Sequence, residues 1–245
     1  MHAFSSHARG VTGHNPGIQR ETRAADSPSA ARFITHIDRV SYTAATQDLV
    51  RPDGSWDLVF RQTRSGLMVL QTGQTDRVVK LGSEAGDSYL SIAFRPEIYM
   101  PARPGQRMMN QGHVHGFAGR RDFLIGDERL ELPSFENAEQ LVMQLARRGL
   151  IEVDLLVQRA AAGGWERVDD RSLQRHSSHV TGMSPKKLQQ ILRADAAAGL
   201  LQQGQRPADV AAELGYTDQA HLTHSLRRIL GLTPGQLQPR APNLP

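Results

Sequence analysis

Cysteine is absent from the 245 residues. Its absence excludes a disulfide framework, a thiolate metal site, a cysteine nucleophile, a thiol redox sensor and repair chemistry that needs a cysteine alkyl acceptor. Aromatic residues are scarce, at 5%. No apolar run approaches the roughly 18 residues that a membrane span requires. The opening Met1-His2-Ala3-Phe4-Ser5-Ser6 lacks the apolar core of a secretory signal, so export is not expected. Ser, His and Asp all occur, but no Gly-x-Ser-x-Gly elbow sets up a nucleophile. An excess of one charge is nearly lacking too. Lys and Arg number 29 against 25 Asp and Glu, a net +4 that allows nucleic acid as a partner without demanding it. What is present is ordinary for a chain that buries a core: 39% hydrophobic and 22% charged residues. The length suits one large domain or two small ones.

Residues 1–31 are rich in Ser, Gly, Pro, Ala, Arg and His. They have little to bury and are expected to be a disordered or loosely attached arm. From 32 to 133 the pattern has period two. Trp56, Leu58 and Phe60 fall on one face of one segment, and Leu90, Ile92 and Phe94 on one face of another. Turn signals at Arg51-Pro52-Asp53-Gly54, Thr72-Gly73 and Gly82 punctuate the run. The expected fold class is therefore α+β, with a β-rich barrel- or sandwich-like domain first. After Pro133 the period changes. Ser134 is placed to cap a linker helix over 134–149, with Ala138, Leu141, Val142 and Leu145 on one stripe and Gly149 as its stop. A second helix is expected from about Glu152 to Ala162, and the region 150–245 is expected to be all-helical.

The most informative stretch runs from Gly204 to Arg228. Pro207 suits a first helical position. Val210, Ala211 and Leu214 make an apolar stripe, Gly215 supplies a tight turn, and Asp218 can cap a second helix whose buried face is Leu222, Leu226, Ile229 and Leu230. Two short helices about a glycine turn form a helix-turn-helix. The outer face of the second helix then carries Gln219, Ala220, Thr223 and His224, followed by Arg227 and Arg228. Glutamine can read adenine, alanine or threonine can meet a thymine methyl, and the arginines can hold phosphates. A plain helical hairpin with a solvated polar face would carry the same pattern. Upstream, Asp169-Asp170 opens a helix that presents Arg171, Gln174 and Arg175 at helical spacing. Gly182 stops it, and Ser184-Pro185 starts a rod to about Gln202 with Leu188, Ile191, Leu192, Leu200 and Leu201 inward. At 1.5 Å per residue that rod is about 27 Å long. Adjacent major-groove segments lie about 34 Å apart, so one chain could present two reading helices to one face of a duplex.

From about Val168 to Leu237 the sequence resembles the DNA-binding domain of the AraC/XylS family of bacterial transcription regulators. The matching residues are Arg171-Ser172-Leu173-Gln174-Arg175-His176, Thr181-Gly182-Met183-Ser184-Pro185-Lys186, Leu200-Leu201, Asp209 to Tyr216, Asp218 to Thr223 and Gly231-Leu232-Thr233-Pro234. The resemblance implies two helix-turn-helix units, a cytoplasmic location, no enzymatic activity and no cofactor. It implies double-stranded operator DNA as partner, with a small-molecule effector, RNA polymerase for an activator, and a homodimer as further partners, and no membrane. Its DNA-facing residues would be Arg171, Ser172, Gln174, Arg175, Lys186, Gln219, Ala220, Thr223, His224, Arg227 and Arg228. Some positions depart from the family pattern. Only Gly163 to Val168 stands where a leading helix of the first unit belongs, so that unit is expected to be abbreviated. Ser177 replaces a large apolar residue, His224 an arginine and Leu226 a phenylalanine. The β-rich part resembles, through Pro52 to Phe60 and Phe94-Arg95-Pro96, the sensor domains attached to some members.

Other constellations point elsewhere. His113 and His115, at i and i+2 on a strand, could share a metal ion, which would make the β-rich part a cupin-like metal-dependent enzyme fused to a helical module. No Glu and third His follow at the spacing such a site requires. An interaction protein with a degenerate helix-turn-helix is the third reading. Trp56 with Asp53 and Asp57 could line a pocket, with core packing as the commoner role. Met100, Met108 and Met109 could adapt to a ligand or fill the core. Arg120-Arg121 reads as a solvated pair at a turn.

Overall fold

The apolar rows at Trp56, Leu58, Phe60 and at Leu90, Ile92, Phe94 meet each other face to face, and this pairing organises the amino-terminal half. In the computed structural model, which describes residues 17–164 and 170–239, Trp56 pairs with Phe94, Leu58 with Ile92 and Phe60 with Leu90 across adjacent antiparallel strands. The Trp56 and Phe94 rings stack at 4.2 Å, and the buried indole N–H donates to the Ile98 carbonyl oxygen at 2.7 Å. Trp56 is thus a core residue.

The strands and short helices of this half follow in order: β1 (Ile18–Arg23), α1 (Pro28–Ala31), β2 (Ile34–Tyr42), β3 (Thr46–Val50), β4 (Trp56–Thr63), β5 (Gly66–Thr72), β6 (Val79–Ser83), β7 (Ser88–Phe94), β8 (Ile98–Tyr99), α2 (Gly105–Met108), β9 (Gly112–His115), β10 (Asp122–Ile125) and β11 (Glu128–Glu131). Six strands form one open antiparallel sheet in the order β1-β2-β7-β4-β5-β9. The β-rich character matches the sequence, but the sheet does not close into a barrel, since β1 and β9 remain edges. The two-stranded antiparallel sheet β3–β6 is tied to it through Arg61, which donates to the Gly82 carbonyl oxygen at 2.8 Å. Helix α3 (Ala138–Arg147) buries Leu141, Val142 and Leu145 in the same core as Leu58, Ile92, Phe123 and Leu130.

Three expectations are corrected. Residues 18–23, placed by composition in a loose arm, are the edge strand β1, paired from Ile18 opposite Tyr42 to Arg23 opposite Ile37. An edge strand tolerates the charges of Arg20, Glu21 and Arg23 because only one of its sides must pair. Its end is pinned by Glu139, which takes Arg23 at 2.8 Å and the Ser27 hydroxyl at 2.8 Å. Burial works to raise the Glu139 carboxyl, but hydrogen bonds from the Asp26 backbone, Arg23 and Ser27 overcome it and hold it at about 2. Residues 1–16 of that expected arm lie outside the described residues. Ser134 does not begin the helix. It closes a preceding turn with Asn137 (Asn137 N to Ser134 Oγ, 3.3 Å), so that Phe135 can be buried before α3 starts. The helix expected from Glu152 begins later, because Glu152–Val153 is a strand, β12, paired with β8. Asp154 then accepts from the Leu156 and Val157 amides and starts α4 (Leu155–Arg159), which continues as a π-helical turn, Ala160–Gly164.

The remaining elements are helical: α5 (Asp170–Thr181), α6 (Pro185–Gln202), α7 (Pro207–Glu213), α8 (Gln219–Leu230) and α9 (Pro234–Leu237). Their core joins Val157, Val180, Leu188, Ile191, Leu201, Val210, Leu222, Leu226 and Ile229. No helix among the described residues is long and apolar enough to cross a membrane.

Replacing Phe94 by alanine removes the ring stacked on Trp56 and leaves a cavity in the sheet core. We expect a loss of about 3–5 kcal/mol in unfolding free energy by denaturant titration. A loss under about 1 kcal/mol would mean that the β4–β7 pairing does not organise the half.

Candidate nucleic-acid interface

The second helix pair is built by local chemistry. Pro207 occupies the first turn of α7, where its missing N–H is not needed, and Arg206 holds Asp209 with two bonds at 2.7 and 3.1 Å. Gly215 turns the chain at φ +69°, a conformation that disfavours any Cβ. The Tyr216 amide closes the turn on the Ala211 carbonyl oxygen at 2.8 Å. Asp218 then accepts from the His221 amide at 2.7 Å and caps α8. Buried Tyr216 locks the turn to α6, with the Arg193 guanidinium 4.3 Å above its ring.

With Leu222, Leu226, Ile229 and Leu230 buried, Gln219, Ala220, Thr223, His224 and Arg227 line one open concavity on the other side of α8. Gln219, Ala220, His224 and Arg227 are exposed, and Thr223 is half-buried. Thr223 donates its hydroxyl proton to the Gln219 carbonyl oxygen at 2.8 Å, which leaves its oxygen as an acceptor. Arg228 is placed differently. Its guanidinium donates to Gln190 Oε1 at 2.9 Å and ties α8 to α6 rather than joining the concavity. Leu226 fills the core fully, so its shape serves where a phenylalanine was expected.

On α5, Arg171, Gln174 and Arg175 are exposed together, while Leu173 and Val180 face the core. Ser172 is half-buried and receives a bond from Arg175 at 3.4 Å. Lys186 is exposed in the first turn of α6. Of the segment Gly163 to Val168, only Gly163 and Gly164 are described, and they close a π-helical turn. Ahead of α5, α4 with its π-helical turn packs against it: Val157 enters the shared core and Asp154 meets His176 of α5 at 2.5 Å. Residues 165–169 lie outside the described residues. Ser177, wholly buried, donates to the Met183 carbonyl oxygen at 2.9 Å. Thr181 donates to the Ser177 carbonyl oxygen at 2.7 Å. A polar residue at Ser177 therefore shapes the turn into α6 where bulk was expected.

Arg51 was read only as part of a turn. Its Nε donates to the carbonyl oxygen of Leu230, the last residue of α8, at 3.0 Å. The partners lie 179 positions apart, and no local pattern marks the pair.

The other constellations do not assemble a site. His113 and His115 lie ring to ring at 5.0 Å, edge to face, and no group of three or more His, Asp or Glu that could hold a metal occurs among the described residues. His115 is bound through Nδ1 to the Leu124 carbonyl oxygen at 3.1 Å and is buried against Phe123. Asp53 serves its own turn by accepting from the Ser55 amide at 2.8 Å, and the Asp57 amide donates to Thr72 Oγ1 at 2.7 Å. Met100 and Met108 are buried beside Trp56 around a void of about 10 Å³, which is room for one water.

The family model of a helix-turn-helix domain matches residues 166–240. No curated protein matches the sequence. Among solved structures, ToxT from Vibrio cholerae is similar at a TM-score of 0.43 and 9% identity, over 90% of this chain and 97% of that one. ToxT from Vibrio cholerae O395 gives 0.45 and 8%, over 91% and 97%. The same protein bound to (E)-4-(8-methylnaphthalen-1-yl)but-3-enoic acid gives 0.45 and 7%, over 91% and 100%.

His115 carries a prediction of its own. Burial first, and then the charges of His113 and Arg103, push its imidazole from 6.5 down to about 4. The unfolded chain therefore takes up this proton earlier as pH falls. Stability is complete above about pH 6.5 and declines toward pH 4, by roughly 3 kcal/mol from this residue. The slope of unfolding free energy against pH over that window should be shallower in His115→Asn than in the wild type. Identical slopes would show that the imidazole titrates normally.

Proposed function

We propose that this chain, whose residues 166–240 are a helix-turn-helix domain of the AraC type, is a sequence-specific DNA-binding regulator of transcription acting in the cytoplasm. Its work is binding, not bond chemistry. One observation carries the reading: α8 is fully packed on one side, while its other side offers Gln219, Ala220, Thr223, His224 and Arg227 together to solvent. A solvated helical face without a role is usually a mixture of charges. This one combines an amide, a small apolar residue, a hydroxyl and an imidazole, which are groups that read base edges, beside a cation that can hold phosphate.

In this reading α8 enters one major-groove segment with Gln219 and Thr223 on bases and Arg227 on the backbone. Helix α5 enters the next with Arg171, Gln174 and Arg175, while Ser172 and Lys186 contact the backbone from their edges and Arg228 holds α8 to α6. Residues 18–133 form the sensing or dimerising part, with α3 attached to it, and the reading part begins near residue 150. A small-molecule effector bound to the β-rich part, a second copy of the chain, and RNA polymerase in the case of activation complete the set of partners.

Duplexes selected from a random-sequence pool by the full chain provide the test, read by mobility shift. Gln219→Ala should weaken the selected duplex by about 1–3 kcal/mol, with the loss concentrated at one base position. Arg227→Ala should weaken all sequences alike and lower the salt slope by about one. Arg175→Ala follows Gln219→Ala if α5 reads bases, and Arg227→Ala if it only holds backbone. Failure to retard any duplex at low salt overturns the reading in favour of an interaction protein.

A further inference from the structure

Both reading helices end on the β-rich half, at their carboxyl termini. For α8 the contact is Arg51. This side chain is only 3% exposed, donates from Nε to the Leu230 carbonyl oxygen at 3.0 Å and from a terminal nitrogen to the Leu49 carbonyl oxygen at 3.3 Å. Burial lowers its pKa, and no carboxylate among the described residues pairs with it. A buried guanidinium without a carboxylate is costly. What offsets the cost here is the pair of carbonyls together with the negative end of the α8 dipole, which gathers at Leu230.

For α5 the contact is Gly105, the first residue of α2. A Cβ there would lie 2.1 Å from the Val180 carbonyl oxygen and 2.7 Å from Thr181, so only glycine lets the two backbones approach. Tyr99 adds an edge-to-face contact with His179 at 5.5 Å. Between these anchors, Gly54 lies against Leu188 and Leu192 of α6, and it belongs to the same β3–β4 turn as Arg51. The base-reading positions Arg171, Gln174, Gln219 and Ala220 lie toward the opposite, amino-terminal ends and are exposed.

We infer that Arg51 is a positioning residue for DNA recognition. Its guanidinium caps the carboxyl end of α8 and, with the Gly105 seat for α5, holds the two reading helices at one separation, so that the full chain accepts one spacing between the two DNA segments it reads. This rests on the reading of α5 and α8 as DNA-binding helices. It makes the turn between β3 and β4, which touches no base, a determinant of operator geometry. Any change of the β-rich half that moves this turn reaches the reading helices through the same bond.

The test uses the full chain, wild type and Arg51→Met, which removes the donors and the charge while keeping an unbranched side chain of similar reach. Hydrogen exchange of the free protein comes first. Arg51→Met should speed exchange in the last turn of α8 about tenfold, with the β4 and β7 core amides unchanged. Duplexes selected by the wild type are then altered by inserting base pairs between the two contacted segments. The wild type should lose about a hundredfold in affinity on insertion of about half a helical turn, because the second helix can no longer engage. In Arg51→Met that penalty should shrink to about threefold, and Arg51→Lys, which keeps a cation within reach of the Leu230 carbonyl, should restore most of it. Gly105→Ala, which loosens the α5 seat alone, should broaden the spacing profile likewise, and it decides the matter if Arg51→Met does not fold. Unchanged exchange in α8, or a wild-type spacing profile in a folded variant, overturns the inference. Loss of all DNA binding in the wild type overturns the reading on which it rests, a distinct result from a wild type that binds but ignores spacing.

Discussion

The burial of α6 is the constraint from which the carboxyl-terminal half takes its shape. Leu188, Ile191, Ala194, Ala197, Ala198 and Leu201 are almost wholly enclosed, although the helix also carries Lys186, Lys187 and Arg193. Three alanines along one rod remove bulk at the positions where other helices must cross it. The neighbours then approach closely, and α5 and α8 each turn part of their apolar stripe to this rod, the rest going to α2 and α4 and to α7. Helices α5 and α8 have no choice about which face they turn outward. What remains for solvent is the polar side, and on both helices that side holds the groups able to meet a duplex.

The same enclosure explains why the seam with the β-rich half is so polar at one point. The β3–β4 turn, from Arg51 to Ser55, is buried throughout. A buried turn must satisfy its polar atoms locally or across the seam. Asp53 does so within the turn, through the Ser55 amide, and Arg51 across the seam, through the last carbonyl of α8. The strand whose Trp56 is stacked on Phe94 begins at the next residue, so the cap on α8 is mounted directly ahead of that stacked pair in the sheet core. An ion pair would have been the ordinary way to bury that guanidinium. A helix terminus replaces it, and the arrangement therefore depends on α8 staying where it is.

Much of the helical half was legible because each boundary is written in residues that act within a few positions. Pro207, Gly215, Asp218, Ser184 and Gly182 impose starts, turns and stops through their own backbone chemistry. The rows at Trp56 and Leu90 were legible for a similar reason, since alternation over a few residues declares a strand. Where composition stood in for pattern, the reading failed. Residues 18–23 look like a tail because an edge strand needs no second apolar face, and only pairing with β2 reveals it. Glu152 and Val153 look like the start of a helix because the competing partner, β8, lies far back in the chain. Ser177 looked like a weakness, and only the Met183 carbonyl oxygen within reach of its hydroxyl shows its use.

Local sequence alone settled that one short helix pair about a glycine turn would form here, that a rod and a further helix would precede it, and that no thiol chemistry could accompany them, since caps, glycine turns and periodicity act over one or two helical turns. Tertiary structure alone decided that the sheet stays open, that Arg228 leaves the outer face of α8 for Gln190, and that Arg51 closes the end of a helix 179 positions away. Those outcomes follow from which surfaces remain unpaired once the chain has collapsed. A pattern read along the chain carries no record of what will lie beside it.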